Sequence, residues 1–399
     1  MELYLQFGYG MMGLSEHLIS DWQSGVVILS PRDLEYSQIE KVSLAINNNN
    51  GKVAIDPQFY IPRGDHERLT SHSFWPDNYQ TAFFDNNAIR TMLNILLDEY
   101  NGKFGSLLFI LPGIYTSEVN EDWDNYNSLI ISEARNLKIE QELFSTLSFS
   151  NEVMQSEEQI HLALEYTENW DVEGYYLVPE PPNHSYLIDD PIWLINLLDL
   201  ASGLKQQGKK VIVGYSNHQL LCLALAKVDA ICSGNWLNVR SFNTERFHAP
   251  TDGISRRSKW YYCPQALSEY QIPFLDIAHR MGLTQELATA SSFHSPYADI
   301  LFSGAQPSST GYNEPASFKH YLQCLRIQTQ NAVKPTYEST KQGLILQLET
   351  ASSLTEFLNS NGIRGRDRDF SQVVDVNLSA VAAFDRLRGM IVKHHWDDL

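Results

Sequence analysis

Three residues at the ends of apolar runs in this sequence are of types that do acid, base or nucleophilic chemistry. Asp56 closes the run "KVAI" and precedes Pro57. A carboxylate there would sit over a partly dry pocket, where a general base or a nucleophile is useful. Glu180, in "PEPPNH", holds a matching position, and two carboxylates on opposite walls could divide acid and base roles. The plain alternative is that Asp56 caps a turn and Glu180 pairs with Arg32 or Arg240. Cys232 ends the run before "SGNWLNVR" and would be a nucleophile only as a thiolate, yet no histidine or lysine adjoins it in sequence. The other reading of Cys232 is a small residue closing a core.

Binding residues are expected beside these three. Asn235, Asn238 and Arg240 form a donor set suited to a phosphate or a carboxylate. His184 and His218 could orient a substrate or take a proton, or lie solvated in loops. Tyr9 in "GYGMM", Arg32 in "SPR" and Ser216 in "YSNH" complete the substrate-facing candidates. Cys222, Cys232, Cys263 and Cys324 form no CxxC pair, and His279, His294 and His320 do not complete a tetrahedral set with Cys263. No metal and no other cofactor is expected.

These residues need a scaffold that gathers strand ends. Apolar runs at residues 3–7, 26–29, 52–55, 107–111, 143–149, 174–178, 210–214 and 230–233 read as strands. Between them lie stretches with helical spacing of apolar residues, such as "NNAIRTMLNILLDEY" and "NHQLLCLALAKV". Strict alternation implies right-handed βαβ units, and eight units in about 235 residues suit a closed α/β barrel of (β/α)8 type. No GxGxxG follows the first run, so a dinucleotide-binding sheet lacks its main support. Residues 235–312 read as an excursion of loops and short helices, and three helical patterns follow. The expected organisation is a barrel over 1–312 and a helical extension over 313–399.

Bulk properties bound the function. The 399 residues carry a formal charge of −19 and 43% hydrophobic residues. No global field therefore draws the chain to nucleic acid, so DNA or tRNA would need a local patch or a partner protein. The patches are "SRRSKWYY" at 255–262 and "RGRDR" at 364–368, each otherwise a solvated loop. No apolar run is long enough to span a bilayer, the N-terminus lacks a secretory signal pattern, and scattered cysteines suit a reducing compartment. The expected setting is the cytoplasm, away from membranes, with self-association left open.

Segment order also resembles the tRNA-guanine transglycosylase superfamily over about residues 51–330. "VIVGYSNHQLLCLALAKVDAICSGNWLNVRSF" is similar to that family's strands seven and eight, "AIDPQFY" to its "DSGGFQ" turn, and "PASFKHYLQCLRIQTQNA" to its later helix. The resemblance implies exchange of a guanine in DNA or tRNA for a 7-deazaguanine, with Asp56 on a functional aspartate. Cys232 stands where the family carries its nucleophilic aspartate. Pro112, Ser148 and the 178–180 stretch replace its guanine-reading positions, and its zinc pattern CxCxxC is missing. Three expectations follow: a divergent base-exchanging enzyme using Asp56 and Glu180, a degenerate paralogue that binds nucleic acid or a partner, or a small-molecule lyase or hydrolase.

Overall fold

The computed structural model describes residues 1–76, 86–249 and 258–399. Eight parallel strands form a closed barrel: β1 (Glu2–Gln6), β2 (Val26–Leu29), β3 (Lys52–Ile55), β4 (Leu108–Ile110), β5 (Glu142–Phe149), β6 (Gly174–Pro179), β7 (Lys210–Val213) and β8 (Ala230–Ser233). β1 lies between β2 and β8, and closure comes from β4 on β5, with Phe109 opposite Leu143. A two-residue strand, Tyr115–Thr116, adds to the far end of β5. β2 is "VVIL", buried at every position, the pattern of a parallel strand covered on both faces. This is the (β/α)8 architecture expected from the alternation.

Among helices of eight residues or more, α1 (Met12–Trp22), α2 (Tyr36–Asn48), α3 (Asn86–Ile95), α4 (Glu121–Arg135), α5 (Glu157–Thr167) and α6 (Pro191–Gln206) separate successive strands. The connection between β7 and β8 departs from expectation: His218–Ala226 is a 3₁₀ segment, not an α-helix. All nine of its residues are buried, so apolar side chains face every direction and their spacing marks no single helical face.

The excursion after β8 also differs from a run of loops and short helices. It contains an antiparallel hairpin, β9 (Trp260–Cys263) with β10 (Ser268–Gln271), before α7 (Ile272–Arg280). The chain ends in α8 (Glu314–Ala332), α9 (Tyr337–Ser360) and α10 (Val374–His394). These helices are bound to the barrel flank. Trp22 Nε1 donates to Gln323 at 2.6 Å, and Arg388 on α10 pairs with Asp199 on α6. Among the described residues, no helix is long and apolar enough to cross a membrane.

Candidate functional site

Asp56 leaves the top of β3 and turns into the barrel axis, where it is 1% exposed. Gln58 N donates to Oδ1 at 2.9 Å, a contact made with Gln58 at a φ of 55°. Three tyrosine hydroxyls converge on Oδ2: Tyr60 at 2.7 Å, Tyr215 at 3.3 Å and Tyr176 at 3.4 Å. Tyr176 also reaches Gln6 Oε1 at 3.0 Å. Gly214 makes room for it, because a Cβ there would lie 2.5 Å from the Tyr176 hydroxyl. Burial pushes the Asp56 pKa up to about 6, opposed by the hydrogen bonds from Tyr60, Gln58, Tyr215 and Tyr176 that favour the ion.

The loop after β8 closes this cage from above. Phe242 packs edge-on against Tyr60 and Tyr215, with ring centroids 5.1 and 5.3 Å away, and Phe247 lies 5.0 Å from Tyr60. A void beside Tyr215, Phe242 and Arg240 is only about 10 Å³, room for one water at most. Arg32 stands at the edge of the cage. It donates to the Arg246 carbonyl at 2.5 Å and pairs with Asp33 at 2.8 Å.

The expected catalytic trio does not form an accessible site: Cys232 is buried within reach of the Asp56 charge, and Glu180 is engaged by other partners. Glu180 is 6% exposed and accepts from Tyr115 OH at 2.5 Å and from Asn151 N at 3.4 Å. Its neighbour is the imidazole of His184, 3.6 Å away, rather than Arg32 or Arg240. His184 is half exposed, and it and Asn183 both have positive φ, at 53° and 51°. Cys232 is fully buried, and burial followed by the charge of Asp56 drives its thiol far above the ordinary range. A neutral, sealed thiol is not a nucleophile.

Four expected binding residues are buried as well: Ser216, His218, Asn235 and Arg240. Ser216 is inaccessible and folds back to donate to the Val213 carbonyl at 2.9 Å. His218 is 1% exposed and ringed by Tyr186, Tyr262, Tyr321 and Phe370. Burial lowers its pKa to about 4, so it is a neutral packing group rather than a solvated loop histidine.

The remaining candidates meet outside the barrel. Tyr9, Asn235, Asn238 and Arg240 line a cleft of about 590 Å³ beside the loop after β8, closed on the other side by Trp260, Phe318 and Arg368. Asn235 Nδ2 and Trp236 Nε1 both donate to the Tyr9 carbonyl, at 2.8 and 3.2 Å, which fixes this wall. Arg240 is 3% exposed and lies flat on Tyr321 at 3.4 Å. It donates to the carbonyls of Gly234 and Asn235, each at 2.8 Å, and to both Glu269 oxygens at 3.3 Å. Glu269 also accepts from Arg368 at 2.8 Å and Tyr186 OH at 2.7 Å. Burial alone would raise the Glu269 pKa, but Arg368 and Arg240 outweigh it and hold the carboxyl at about 2.

Sequence reasoning missed Tyr60, Tyr176 and Tyr215, although each stands near a strand end or on an inward strand position. It also missed Glu269 and Arg368. The run "RGRDR" is not one patch: Arg364 and Arg366 are exposed beside Phe274, whereas Arg368 turns inward onto Trp260. Of "SRRSKWYY", residues 255–257 lie outside the described residues. Among the described residues, no three His, Cys, Asp or Glu groups are placed to hold a metal ion. The buried pair Cys324 and His320 lies 3.7 Å apart, with His320 Nε2 on the Tyr262 carbonyl.

No family model matches this sequence, and no curated protein matches it. Among solved structures, a thermostable mutant of a xylanase from Cellvibrio japonicus is 8% identical, with a TM-score of 0.35, over 58% of this chain and 86% of that one. A GH10 xylanase from Thermobacillus composti is 10% identical, with a TM-score of 0.38, over 82% and 96%. Likeness of this degree says nothing about what the chain binds.

Proposed function

We propose that this chain is a divergent barrel of the transglycosylase type that no longer exchanges bases and acts as a binding subunit beside an active partner. The observation that carries this reading is the sealed centre. Asp56 is 1% exposed beneath Phe242, with both carboxylate oxygens engaged. Cys232, in the nucleophile's place, is a buried neutral thiol. An acid, base or nucleophile must reach the reacting atom, and neither side chain can. The net charge of −19 favours a partner that supplies any phosphate contacts to DNA or tRNA. The cytoplasmic setting belongs to the same proposal and is supported by four cysteines that are all free and buried.

The test is base exchange by the purified chain with radiolabelled guanine or a 7-deazaguanine and either tRNA or DNA, together with nucleoside mass spectrometry of cells with and without the protein. No incorporation by the chain alone is expected. Incorporation that disappears in Asp56→Asn would refute the proposal and restore the enzyme.

A second reading, a small-molecule lyase or hydrolase, has one observation in its favour. Tyr115 donates to Glu180 at the rim, and His184 lies 3.6 Å from the same carboxylate, with His184 and its neighbour Asn183 both in the left-handed region.

A further inference from the structure

We infer that the cleft beside the loop after β8 binds a small ligand in which a flat aromatic ring is joined to an oxyanion, either a carboxylate or a phosphate. The inference does not rest on the loss of base exchange. It rests on the walls and floor of the cleft.

The walls supply aromatic faces. Tyr9 is 70% exposed, and Trp236, Trp260 and Phe318 line the same space. A cavity of about 590 Å³ falls within the roughly 300–1,000 Å³ typical of small-molecule sites. Exposed aromatic rings on fixed backbone favour stacking with a flat partner. The backbone here is fixed by the two donors on the Tyr9 carbonyl.

The floor supplies a cation in excess. Arg240 and Arg368 share one carboxylate, Glu269, and the neighbouring imidazole of His218 is neutral. Arg368 lies over Trp260 at 3.8 Å and spends Nη1 on Glu269. Its Nε is shielded from water and has no hydrogen-bond partner. Buried polar groups are normally satisfied, and the shielded Nε is closed to a ligand, so the donor left for an acceptor in the cleft is Nη2, which makes no hydrogen bond among the described residues. Guanidinium forks match carboxylate and phosphate oxygens in particular. Asp367 and Glu314 also line the cleft and oppose an anion; Asp367 is exposed and screened, whereas Glu314 is half-buried, so the oxyanion is expected on the side of Arg368 and Arg240.

The experiment is calorimetric titration of the full chain with four probes. Adenosine 5′-monophosphate joins a ring to a phosphate, and indole-3-acetate joins a ring to a carboxylate. Adenosine and inorganic phosphate are the separate halves. At least one joined probe should bind at least tenfold tighter than adenosine or phosphate, and the preferred probe tells phosphate from carboxylate as the natural source. Tyr9→Ala, which alters an exposed side chain, should weaken binding several-fold. Arg368→Lys keeps the charge but loses the fork, and should weaken it about tenfold. Asp367→Asn should tighten it, a change that loss of structure would not produce. The inference is overturned if neither joined probe exceeds its halves. It is equally overturned if binding is indifferent to Tyr9→Ala and Asp367→Asn. Neither result bears on base exchange, which is read separately.

Discussion

Replacing Asp56 with asparagine should stabilise this protein above neutral pH, and by an amount that depends on pH. The Asp56 carboxyl rises from an ordinary value of 3.8 to about 6 because it is buried. A carboxyl with a raised folded-state pKa contributes stability that is fully present below 3.8 and lost as pH climbs through about 6. At about 1.4 kcal/mol per pH unit, the rise corresponds to about 3 kcal/mol lost by pH 7. Asparagine carries no charge and escapes that loss. Its amide keeps an acceptor for Tyr60 but turns an N–H donor toward Gln58 N, which forfeits one hydrogen bond worth about 1 kcal/mol. The net expectation is a gain of about 2 kcal/mol at pH 7 and a loss of about 1 kcal/mol near pH 3. Urea denaturation of both proteins from pH 3.5 to 8 measures it. A difference that stays flat across that range would refute the claim that burial raises the pKa of this carboxyl.

Glu269→Gln should cost about 3–5 kcal/mol at pH 7, because Arg240 and Arg368 would keep their charges without a carboxylate. The folded-state pKa of Glu269 is depressed to about 2, so its contribution is present above the ordinary 4.5 and is lost as pH falls toward 2. The cost in chemical denaturation should therefore shrink below pH 4. Gly214→Ala should destabilise by about 1–3 kcal/mol by pushing Tyr176 off Asp56, which a shifted near-ultraviolet circular dichroism spectrum would report. All four cysteines should resist iodoacetamide in the native protein and react together on unfolding, as mass spectrometry of the tryptic peptides would reveal. Rapid native labelling of Cys232 would contradict its sealed position.

The barrel was legible in the sequence because parallel strands covered on both faces are written as short apolar runs, and "VVIL", "KVAI" and "KVIV" each sit where a strand forms. His218–Ala226 was not, because an element buried all round has no polar face to set a period. Asp56 was found from its place after β3, but its partners were not. Tyr60 follows β3, Tyr176 lies on β6 and Tyr215 follows β7, and the three meet only through barrel closure. Arg240 was noticed as a donor, yet its acceptor lies 29 residues away in a hairpin that local patterning did not mark. Long-range pairing of charges leaves no local trace, so an exposed binding arginine and a buried structural one look alike in sequence.

The carboxylate of Glu269 also constrains how this chain can be made. Its three partners are Tyr186 after β6, Arg240 after β8 and Arg368 just ahead of α10. On a ribosome the last barrel strand emerges by residue 233, but Glu269 is still to come and Arg368 much later. Until Glu269 emerges, Arg240 cannot enter its dry niche without an uncompensated charge. The last loop of the barrel therefore docks only once the hairpin that carries Glu269 has been synthesised.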